Sequence, residues 1–198
     1  MWNCKLMRGF CATDDAFPGI SRGHAHFLTF SCHGRQPFLR SAACCRWLAD
    51  SVRNTCDKLQ FRLWAYVFMP EHVHLLVYPF RSNYRIAEFL KAIKIPVARR
   101  TVFRLRKERP KFLSKLAVVT QNGKIEYRFW QAGGGYDHNL WTLKRIIEKA
   151  GYCHANPVKR GLVKNPAEWK WSSFRSLTTG TKEPDILEID EWDDRILG

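Results

Sequence analysis

Residues 61–78 read FRLWAYVFMPEHVHLLVY, and this run indicates how the chain folds. Phe61–Phe68 is apolar and aromatic, a composition enriched in strands. Met69-Pro70-Glu71 follows as a short turn, and His72–Tyr78 comes directly after it as a second strand. Two such strands joined by so short a turn pair with each other, so the sequence predicts a β-hairpin here.

A strand and a helix are predicted before this hairpin. His24–His33 alternates partly between polar and apolar residues, is rich in Phe and Thr, and is closed by Gly34, as expected of a strand. Phe38–Leu59 has apolar residues at helical spacing, with Ser41 as a plausible cap. The helix should therefore precede the hairpin directly.

Two helices and a second hairpin are predicted after it. Apolar residues at helical spacing indicate the helices, proline interrupts or ends them, and Asn122-Gly123 is typical of a tight hairpin turn. The predicted elements are a long basic helix over Ser82–Lys107 kinked at Pro96, a hairpin of Phe112–Val119 and Lys124–Gln131, and a helix over about Asn139–Asn156 stopped by Pro157.

The order of these elements predicts an α+β fold. Strand, helix, strand, strand, helix, strand and helix form a split βαβ pattern, in which helices pack on one mainly antiparallel sheet. A length of 198 residues suits a single domain. We therefore expect one domain over residues 1–180, followed by an acidic C-terminal tail over residues 181–198.

The charge of the chain points to an anionic partner. The sequence has 33 Lys and Arg against 18 Asp and Glu, a net charge of +15. Residues 181–198 hold seven acids and two bases, a net charge of −5, which leaves +20 for residues 1–180. Such an excess, together with 14% aromatic residues, favours nucleic acid. The opposite charges also suggest that the acids of Glu183–Asp194 compete with DNA for the basic surface.

The densest basic region is Arg81–Lys115, where twelve bases meet only Glu88 and Glu108. A run of bases is often only a solvated helix face, but this cluster exceeds what solubility requires. We therefore predict a phosphate-binding surface. Its candidate DNA-binding residues are Arg81, Arg85, Lys91, Lys94, Arg99, Arg100, Arg104, Arg106 and Lys107.

The composition also bears on where the chain acts. No apolar run approaches about 18 residues, and the first residues lack a long apolar stretch, so we expect neither a membrane span nor a signal peptide. The seven cysteines are irregularly spaced and include no C-x-x-C. Without a secretory signal they are expected to be reduced thiols, several of them small core residues, in a cytoplasmic protein associated with the nucleoid.

Two His-x-His pairs are candidate metal ligands. Side chains at i and i+2 of a strand share one face, so His24/His26 or His72/His74 could present two imidazoles to one ion. For either pair alone, a polar residue on a half-buried strand is the commoner explanation. Alternation places Phe68, His72, His74 and Leu76 on one face and Val73, Leu75 and Val77 on the other.

The last helix offers a second set of candidates. Tyr152 and Asn156 are four residues apart and lie one above the other on one helix face, so Tyr152 could act as a nucleophile and Asn156 as a neutral oxygen ligand. A core tyrosine and a helix-capping asparagine remain the alternative. Glu148 could be a further ligand, although an exposed acid is expected more often, and His138 and His154 suit structural hydrogen bonds. The sheet-facing residues should be Leu140, Leu143, Ile146, Ile147 and Ala150.

These segments resemble a known family. Residues 69–77 (MPEHVHLLV) resemble the HUH motif, histidine–bulky apolar–histidine, of single-tyrosine transposases, and residues 152–163 (YCHANPVKRGLV) resemble their catalytic-tyrosine helix. Residues 129–131, 136–138 and 171–174 match in the same order. The chain is most similar to the REP-associated tyrosine transposases, relatives of the IS200-like transposases. P-E-H-x-H followed about 80 residues later by Y-x-x-x-N-P is a specific combination.

The resemblance implies a fold, a site and a reaction. The fold is that of HUH endonucleases, with a ferredoxin-like split βαβ. His72, His74 and Asn156 would bind Mg²⁺ or Mn²⁺, and Tyr152 would be the nucleophile that cuts single-stranded DNA. A 5′-phosphotyrosine and a free 3′-OH result, and the 3′-OH can rejoin strands without ATP. Recognition would centre on hairpin DNA such as REP-like palindromes with a flanking tetranucleotide.

The chain departs from the family pattern at two places. Gly133–Gly135 is more glycine-rich than usual, and Gly151 before the tyrosine costs about 1 kcal/mol against alanine in a helix. His24/His26 has no metal role in the family, and none is assigned to it here. The resemblance is compatible with a monomer or a homodimer.

Three other interpretations remain open at this stage. The chain could be a domesticated transposase that binds DNA without cutting it. It could be a nickase of the relaxase or rolling-circle type, although relaxases usually add a third histidine and often a helicase domain. His72 and His74 could also bind a structural zinc ion, in which case chelation should unfold the protein.

Overall fold

The computed structural model describes residues 24–180 and 187–192. The strands in these ranges are β1 (Ala25–Ser31), β2 (Phe61–Phe68), β3 (His72–Pro79), β4 (Ala117–Val119), β5 (Ile125–Tyr127) and β6 (Tyr136–Leu140). Four of them form an antiparallel sheet in the order β2-β3-β1-β6, and β4 pairs with β5 separately. The hairpin of β2 and β3 lies where the sequence predicts it.

The helices are α1 (Ala42–Leu59), α2 (Ile86–Glu108), α3 (Pro110–Leu113), α4 (Leu143–Lys159) and α5 (Phe174–Thr179). Helix α1 connects β1 to β2, and α2 follows β3, which is the connectivity of a split βαβ unit. The prediction of an α+β fold with a mainly antiparallel sheet and packed helices is therefore confirmed.

The sheet separates two hydrophobic cores. Helices α1 and α2 cover one face, and α4 covers the other. The first core contains Leu28, Phe30, Val73, Leu75 and Val77 from the sheet with Leu48, Val52, Phe89 and Ile93 from the helices. The second core contains Phe27, Trp64, Leu76 and Leu140 with Ile146, Ala150 and Cys153 of α4.

The alternation predicted for β3 is confirmed, with one exception in β2. Val73, Leu75 and Val77 lie in the α1–α2 core, whereas Leu76 lies in the core under α4. Phe68 was expected on the face of Leu76 but lies in the α1–α2 core. The reason is that Phe68 pairs directly with Val73, and directly paired residues of antiparallel strands share one face.

The largest difference from the sequence prediction lies at β6. The last helix was expected to begin at about Asn139, but Tyr136–Leu140 is a strand paired with β1, so Leu140 belongs to the sheet. The helix begins at Leu143. Thr142 caps it, because the Thr142 hydroxyl accepts a hydrogen bond from the Arg145 N–H. It then continues through Pro157 to Lys159 instead of ending at Pro157.

Three other elements differ in extent from their predictions. Helix α2 begins at Ile86 rather than Ser82 and continues through Pro96 to Glu108. Helix α1 begins at Ala42, and the Ser41 side chain makes no capping hydrogen bond. The two strands of the Asn122-Gly123 hairpin, β4 and β5, are three residues each. Strand β4 is shorter than predicted because the residues from Pro110 to Leu116 are helical.

Gly135 explains part of the glycine-rich segment before β6. Its φ of +88° lies in the left-handed region, which favours glycine. A Cβ at this position would lie 2.2 Å from the Thr29 carbonyl oxygen, too close for any other residue without a shift of the backbone. The absence of a side chain therefore lets the start of β6 approach β1.

Part of the acidic C-terminal region packs against the domain. Leu187 is buried in the α1–α2 core. The Asp190 N–H donates to the Leu63 carbonyl at 2.8 Å, and an Asp190 carboxylate oxygen accepts from the Leu63 N–H at 2.8 Å. Trp192 donates from its indole N–H to the Trp64 carbonyl. Residues 187–192 therefore cover the outer edge of β2, whereas residues 181–186 and 193–198 lie outside the described part.

Five cysteines in the described ranges are free and buried, as small core residues would be: Cys32, Cys44, Cys45, Cys56 and Cys153. Burial raises the pKa of the Cys32 and Cys56 thiols to about 12, so these groups stay protonated. Cys4 and Cys11 lie outside the described residues. No helix among residues 24–180 and 187–192 is both long and apolar enough to cross a membrane.

Candidate active site

His72 and His74 converge at the start of β3, on the face that α4 covers. Their Nε2 atoms lie 3.1 Å apart, and both side chains are buried. Two ligands that meet at a right angle on an octahedral Mg²⁺ ion, each at about 2.1 Å, would be about 3.0 Å apart. The two imidazoles therefore fit a shared divalent cation.

The other nitrogen of each imidazole is held by an oxygen atom. His72 Nδ1 donates to a carboxylate oxygen of Glu71 at 3.0 Å, and His74 Nδ1 lies 2.7 Å from the Thr29 hydroxyl. Because a carboxylate can only accept, His72 carries its proton on Nδ1 and has a lone pair on Nε2. The Thr29 hydroxyl can accept in the same way from His74. Such outer partners orient metal-binding histidines.

Burial keeps both imidazoles neutral. Loss of hydration lowers the pKa of His72, although the neighbouring Glu71 carboxylate opposes this effect. Burial, with smaller contributions from His72 and Lys149, lowers the pKa of His74 to about 3. At neutral pH no proton therefore competes with a cation for the two Nε2 atoms.

Glu71 connects β3 to the end of the tyrosine helix. Its buried carboxylate accepts from His72 and, at 2.8 Å, from the Arg160 guanidinium, while Arg35 lies 3.6 Å away. Burial alone raises the pKa of the Glu71 carboxyl, but His72 and Arg160 outweigh this effect and hold the pKa below its usual value. Glu71 is therefore ionised and joins the histidine pair to α4.

Tyr152 lies on α4 beside the histidine pair of the same chain. Its ring centre is 5.7 Å from that of His74 and 6.0 Å from that of Phe27, and the side chain is 44% exposed. The ammonium groups of Lys149 and Lys159 lie 5.7 and 5.1 Å from the centre of the Tyr152 ring. The Tyr152 side chain is therefore partly exposed, with two cations near its ring.

Asn156 is buried one turn after Tyr152, and its side-chain amide donates to the Tyr152 carbonyl at 3.1 Å. This leaves the amide oxygen as the ligand that the sequence predicts. In the described part of the chain, no three His, Cys, Asp or Glu side chains gather as a metal site. The role of Asn156 as a third metal ligand stays a prediction.

The other candidates on and near α4 have structural partners. The Glu148 carboxylate accepts from Arg145 at 3.2 Å on the exposed surface. His154 is buried, with Nε2 2.8 Å from the Ser173 hydroxyl, and burial lowers its pKa to about 4. The Tyr136 hydroxyl is hydrogen-bonded to His138 Nδ1 at 2.7 Å. Of the predicted anchors, Ile146 and Ala150 are fully buried, whereas Leu143 and Ile147 are half-buried.

The second histidine pair, His24 and His26, to which no metal role was assigned, lies away from this site. His26 bonds through Nδ1 to Asp137 and through Nε2 to the Tyr84 hydroxyl, both at 2.8 Å. The His24 ring lies against Trp141, with 4.1 Å between ring centres. These contacts belong to the side of the sheet that α2 covers, because Tyr84 packs against the α1–α2 core.

The predicted DNA-binding bases lie on α2 or just before it. Eight are exposed: Arg81, Arg85, Lys91, Arg99, Arg100, Arg104, Arg106 and Lys107. Lys94 is half-buried and donates to the Gly133 carbonyl at 2.8 Å, so it also holds the loop before β6. Because α2 packs on the face opposite α4, this basic surface is separated from the histidine pair by the sheet, and its role in DNA binding stays a prediction.

A second group of bases surrounds the site and was missed in the sequence analysis: Arg35, Lys149, Lys159 and Arg160. Helical spacing could have identified two of these bases, Lys149 and Lys159, from the sequence. Lys149 precedes Tyr152 by three residues and Lys159 follows it by seven, so both lie on the tyrosine face of α4. Arg35 is brought to Glu71 only by the tertiary fold.

An antiparallel split βαβ sheet, with two convergent imidazoles beside a tyrosine on a helix, is the arrangement that the resemblance to single-tyrosine transposases implied. The family described as "Transposase IS200 like" matches residues 20–132 of this chain. This match covers more than half of the sequence, so the chain belongs to the IS200-like transposase family. The matched residues include His72 and His74 and end before the helix that carries Tyr152.

The REP-associated tyrosine transposases are homologues of this chain. A Haemophilus influenzae protein of that name is 27% identical over 125 residues, which make up 63% of this chain. The match spans 65% of that relative's length, less than two thirds. The predicted resemblance to this group is confirmed.

Two solved structures are similar in fold. A REP-associated tyrosine transposase bound to a REP hairpin has a TM-score of 0.61 and 20% identity, covering 87% of this chain and 90% of that one. A protein from Deinococcus radiodurans described as a transposase has a TM-score of 0.45 and 19% identity, covering 73% of this chain and 97% of that one. The first of these similarities supports the fold and no more than the fold.

Proposed function

We propose that this protein is a metal-dependent single-stranded DNA endonuclease and strand transferase that acts on hairpin DNA through a 5′-phosphotyrosine intermediate. One observation carries the proposal: His72 and His74 present their Nε2 atoms 3.1 Å apart, and the Tyr152 ring lies 5.7 Å from His74. A cation site and a nucleophile thus meet in one cleft. Membership of a transposase family agrees with this chemistry.

The residues that would hold the metal are His72, His74 and Asn156, and Mg²⁺ or Mn²⁺ is the expected ion. When bound, such an ion polarises a phosphate oxygen and stabilises the charge that develops during attack. Glu71 and Thr29 keep the imidazoles oriented toward the ion, so the chain maintains the ligand geometry through hydrogen bonds that exist before substrate binds.

Tyr152 would attack the scissile phosphorus with its phenol oxygen. A bond forms between that oxygen and phosphorus as the bond from phosphorus to the 3′-oxygen breaks, so the 5′-phosphate stays on Tyr152. The phenol loses its proton during attack and the leaving 3′-oxygen gains one. The ammonium groups of Lys149 and Lys159 lie 5.7 and 5.1 Å from the ring centre and would supply positive charge beside the scissile phosphate.

The proposed substrate is hairpin DNA with an unpaired flank. An unpaired strand is needed because the scissile phosphate has to reach a cleft between the sheet and α4. The net charge of +15 and the bases around Glu71 and Tyr152 suit a polyanion. A homologue of similar fold is described as bound to a REP hairpin, which makes REP-like palindromes the first substrates to test.

The test is the formation of a covalent protein–DNA adduct. Hairpin oligonucleotides with single-stranded flanks, taken from the DNA on either side of the gene, are incubated with the protein and Mn²⁺ and separated on a denaturing gel. The wild type should form an adduct that maps to Tyr152, and the Tyr152→Phe variant should form none while still binding the hairpin.

The same experiment decides between this function and a DNA-binding protein without nuclease activity. Binding without cleavage by the wild type, over varied hairpins and both ions, would mean that the protein is a non-catalytic DNA-binding transposase relative. A nickase of the relaxase type is disfavoured by the site, because His72 and His74 have no third histidine beside them among the described residues.

A further inference from the structure

Tyr136 lies on the same face of the sheet as the histidine pair. It is the first residue of β6, an edge strand, and it is 55% exposed. It pairs directly with Thr29, whose hydroxyl contacts His74. Directly paired residues share a face, so the Tyr136 ring is presented to the cleft under α4 rather than to α2.

The Tyr136 ring is held in position although it is exposed. Its hydroxyl is hydrogen-bonded to His138 Nδ1 at 2.7 Å, which restricts rotation of the ring. The preceding residue, Gly135, brings the strand so close to the Thr29 carbonyl that no side chain would fit there. An exposed aromatic ring that is already ordered loses little conformational entropy when a ligand stacks on it.

An aromatic row connects this ring to the proposed site. His138 pairs directly with Phe27, and the Phe27 ring stacks on His74 with 5.2 Å between centres and meets Tyr152 at 6.0 Å. Adjacent strands are about 4.8 Å apart, so β6 lies about 10 Å from β3. At the rise of stacked DNA, about 3.4 Å, this distance corresponds to about three nucleotides.

A cation lies along the same row. The Lys149 ammonium is 5.3 Å from the Phe27 ring centre and 5.7 Å from that of Tyr152. A DNA strand that places a phosphate at Tyr152 would pass this ammonium group before it reaches β6. Phe27 and His74 are buried, and the exposed rings of this row are Tyr136 and Tyr152. Exposed aromatic rings with a cation between them bind unpaired nucleic acid, because each base has a face that can stack and each phosphate has a charge.

We propose that Tyr136 is a binding residue on which an unpaired base, within about three nucleotides of the scissile phosphate, stacks. This inference rests on the proposed function, since it places the base relative to the nucleophile Tyr152. The hydrogen bond to His138 makes the Tyr136 ring a fixed platform for the base. The open edge of β6 lets the DNA strand leave the cleft.

Binding of hairpin DNA with a single-stranded flank tests the proposal directly. The measurements use the Tyr152→Phe protein, so that cleavage does not interfere. Adding Tyr136→Leu should weaken binding about ten-fold, the effect of losing one base–aromatic stack. Tyr136→Phe keeps the ring and loses only the hydrogen bond to His138, so it should weaken binding less, by about two- to five-fold. Trp141→Leu is the matched control, because Trp141 is 62% exposed but contacts His24 on the α2 side.

An abasic scan locates the base. Removing one flanking base at a time should reproduce the ten-fold loss at a single position, and Tyr136→Leu should add nothing further to the loss at that position. With 5-iododeoxyuridine at the same position, ultraviolet light should cross-link the DNA to Tyr136, a readout that requires no cleavage.

The outcomes separate this inference from the proposed function. Equal losses for Tyr136→Leu and Trp141→Leu, or a loss for Tyr136→Leu that no abasic position reproduces, would overturn the platform and leave the nuclease intact. Failure of the wild type to bind any hairpin would overturn the proposed function and the platform together. Far-ultraviolet circular dichroism confirms that each variant is folded.

Discussion

Glu71 should control how tightly the histidine pair binds a metal ion. Its carboxylate accepts from His72 at 3.0 Å, and both groups are buried. A charge-assisted hydrogen bond of this kind contributes about 1.5–3 kcal/mol, against about 1 kcal/mol for a neutral one. Glu71→Gln keeps the size of the side chain and an acceptor oxygen, so it should cost about 1–2 kcal/mol of metal-binding free energy.

This free energy corresponds to Mn²⁺ binding about 5–30-fold weaker. The loss of the ion pair with Arg160 should lower the free energy of unfolding by less than about 1 kcal/mol, because half of that side chain is exposed to solvent. Bound Mn²⁺ is measured without DNA, from the decrease in the electron paramagnetic resonance signal of the free ion during a titration. Activity therefore plays no part in the measurement.

Glu148→Gln provides the matched control. It makes the same chemical change on α4, but Glu148 is exposed and pairs with Arg145 instead of a histidine. Its Mn²⁺ affinity should stay within about two-fold of the wild type. If Glu71→Gln bound Mn²⁺ as tightly as Glu148→Gln, the idea that Glu71 orients His72 toward a metal would be wrong.

Three further predictions concern the fold. Leu187→Ala should lower the free energy of unfolding by about 3 kcal/mol, because Leu187 is fully buried. Glu191→Ala, at an exposed position, should change this free energy by less than about 0.5 kcal/mol. Urea unfolding measures both values. Gly135→Ala should lower the free energy of unfolding by about 1–3 kcal/mol, since the φ of Gly135 is +88° and the new Cβ would meet a carbonyl oxygen. Equal stability of Gly135→Ala and Gly134→Ala in thermal unfolding would contradict this reasoning. Chelation with EDTA should leave the circular dichroism spectrum unchanged, because apolar side chains such as Leu76, Ile146 and Ala150 hold α4 on the sheet. Unfolding on chelation would indicate structural zinc instead.

The packing of Leu187 and Asp190 also changes how the acidic-tail hypothesis can be tested. Truncation after Gly180 would remove a buried core residue and the hydrogen bonds to β2, so it would destabilise the fold as well as remove charge. Competition between the acids and DNA stays a prediction. Charge-neutralising substitutions at exposed acids such as Glu191 test it without this complication, by tighter DNA binding at low salt.

Local signals predicted the β2–β3 hairpin correctly because everything that defines it lies within eighteen residues: two apolar strands, a short turn and strict alternation. They failed at β6, which reads Tyr-Asp-His-Asn-Leu and contains three polar residues in five. Its strand conformation comes from hydrogen bonds to β1, more than a hundred residues earlier in the chain. No property of those five residues alone reveals that pairing.

The same division holds for the site. Sequence alone determined that His72 and His74 share a strand face, that Tyr152 and Asn156 share a helix face, and which family the motifs resemble, because each depends on spacing within one element. Only the tertiary structure decided that the two faces meet, that Glu71 links His72 to Arg160, and that Tyr136 faces the same cleft. Those contacts depend on how α4 and β6 pack against the sheet, and packing joins residues that are distant in sequence.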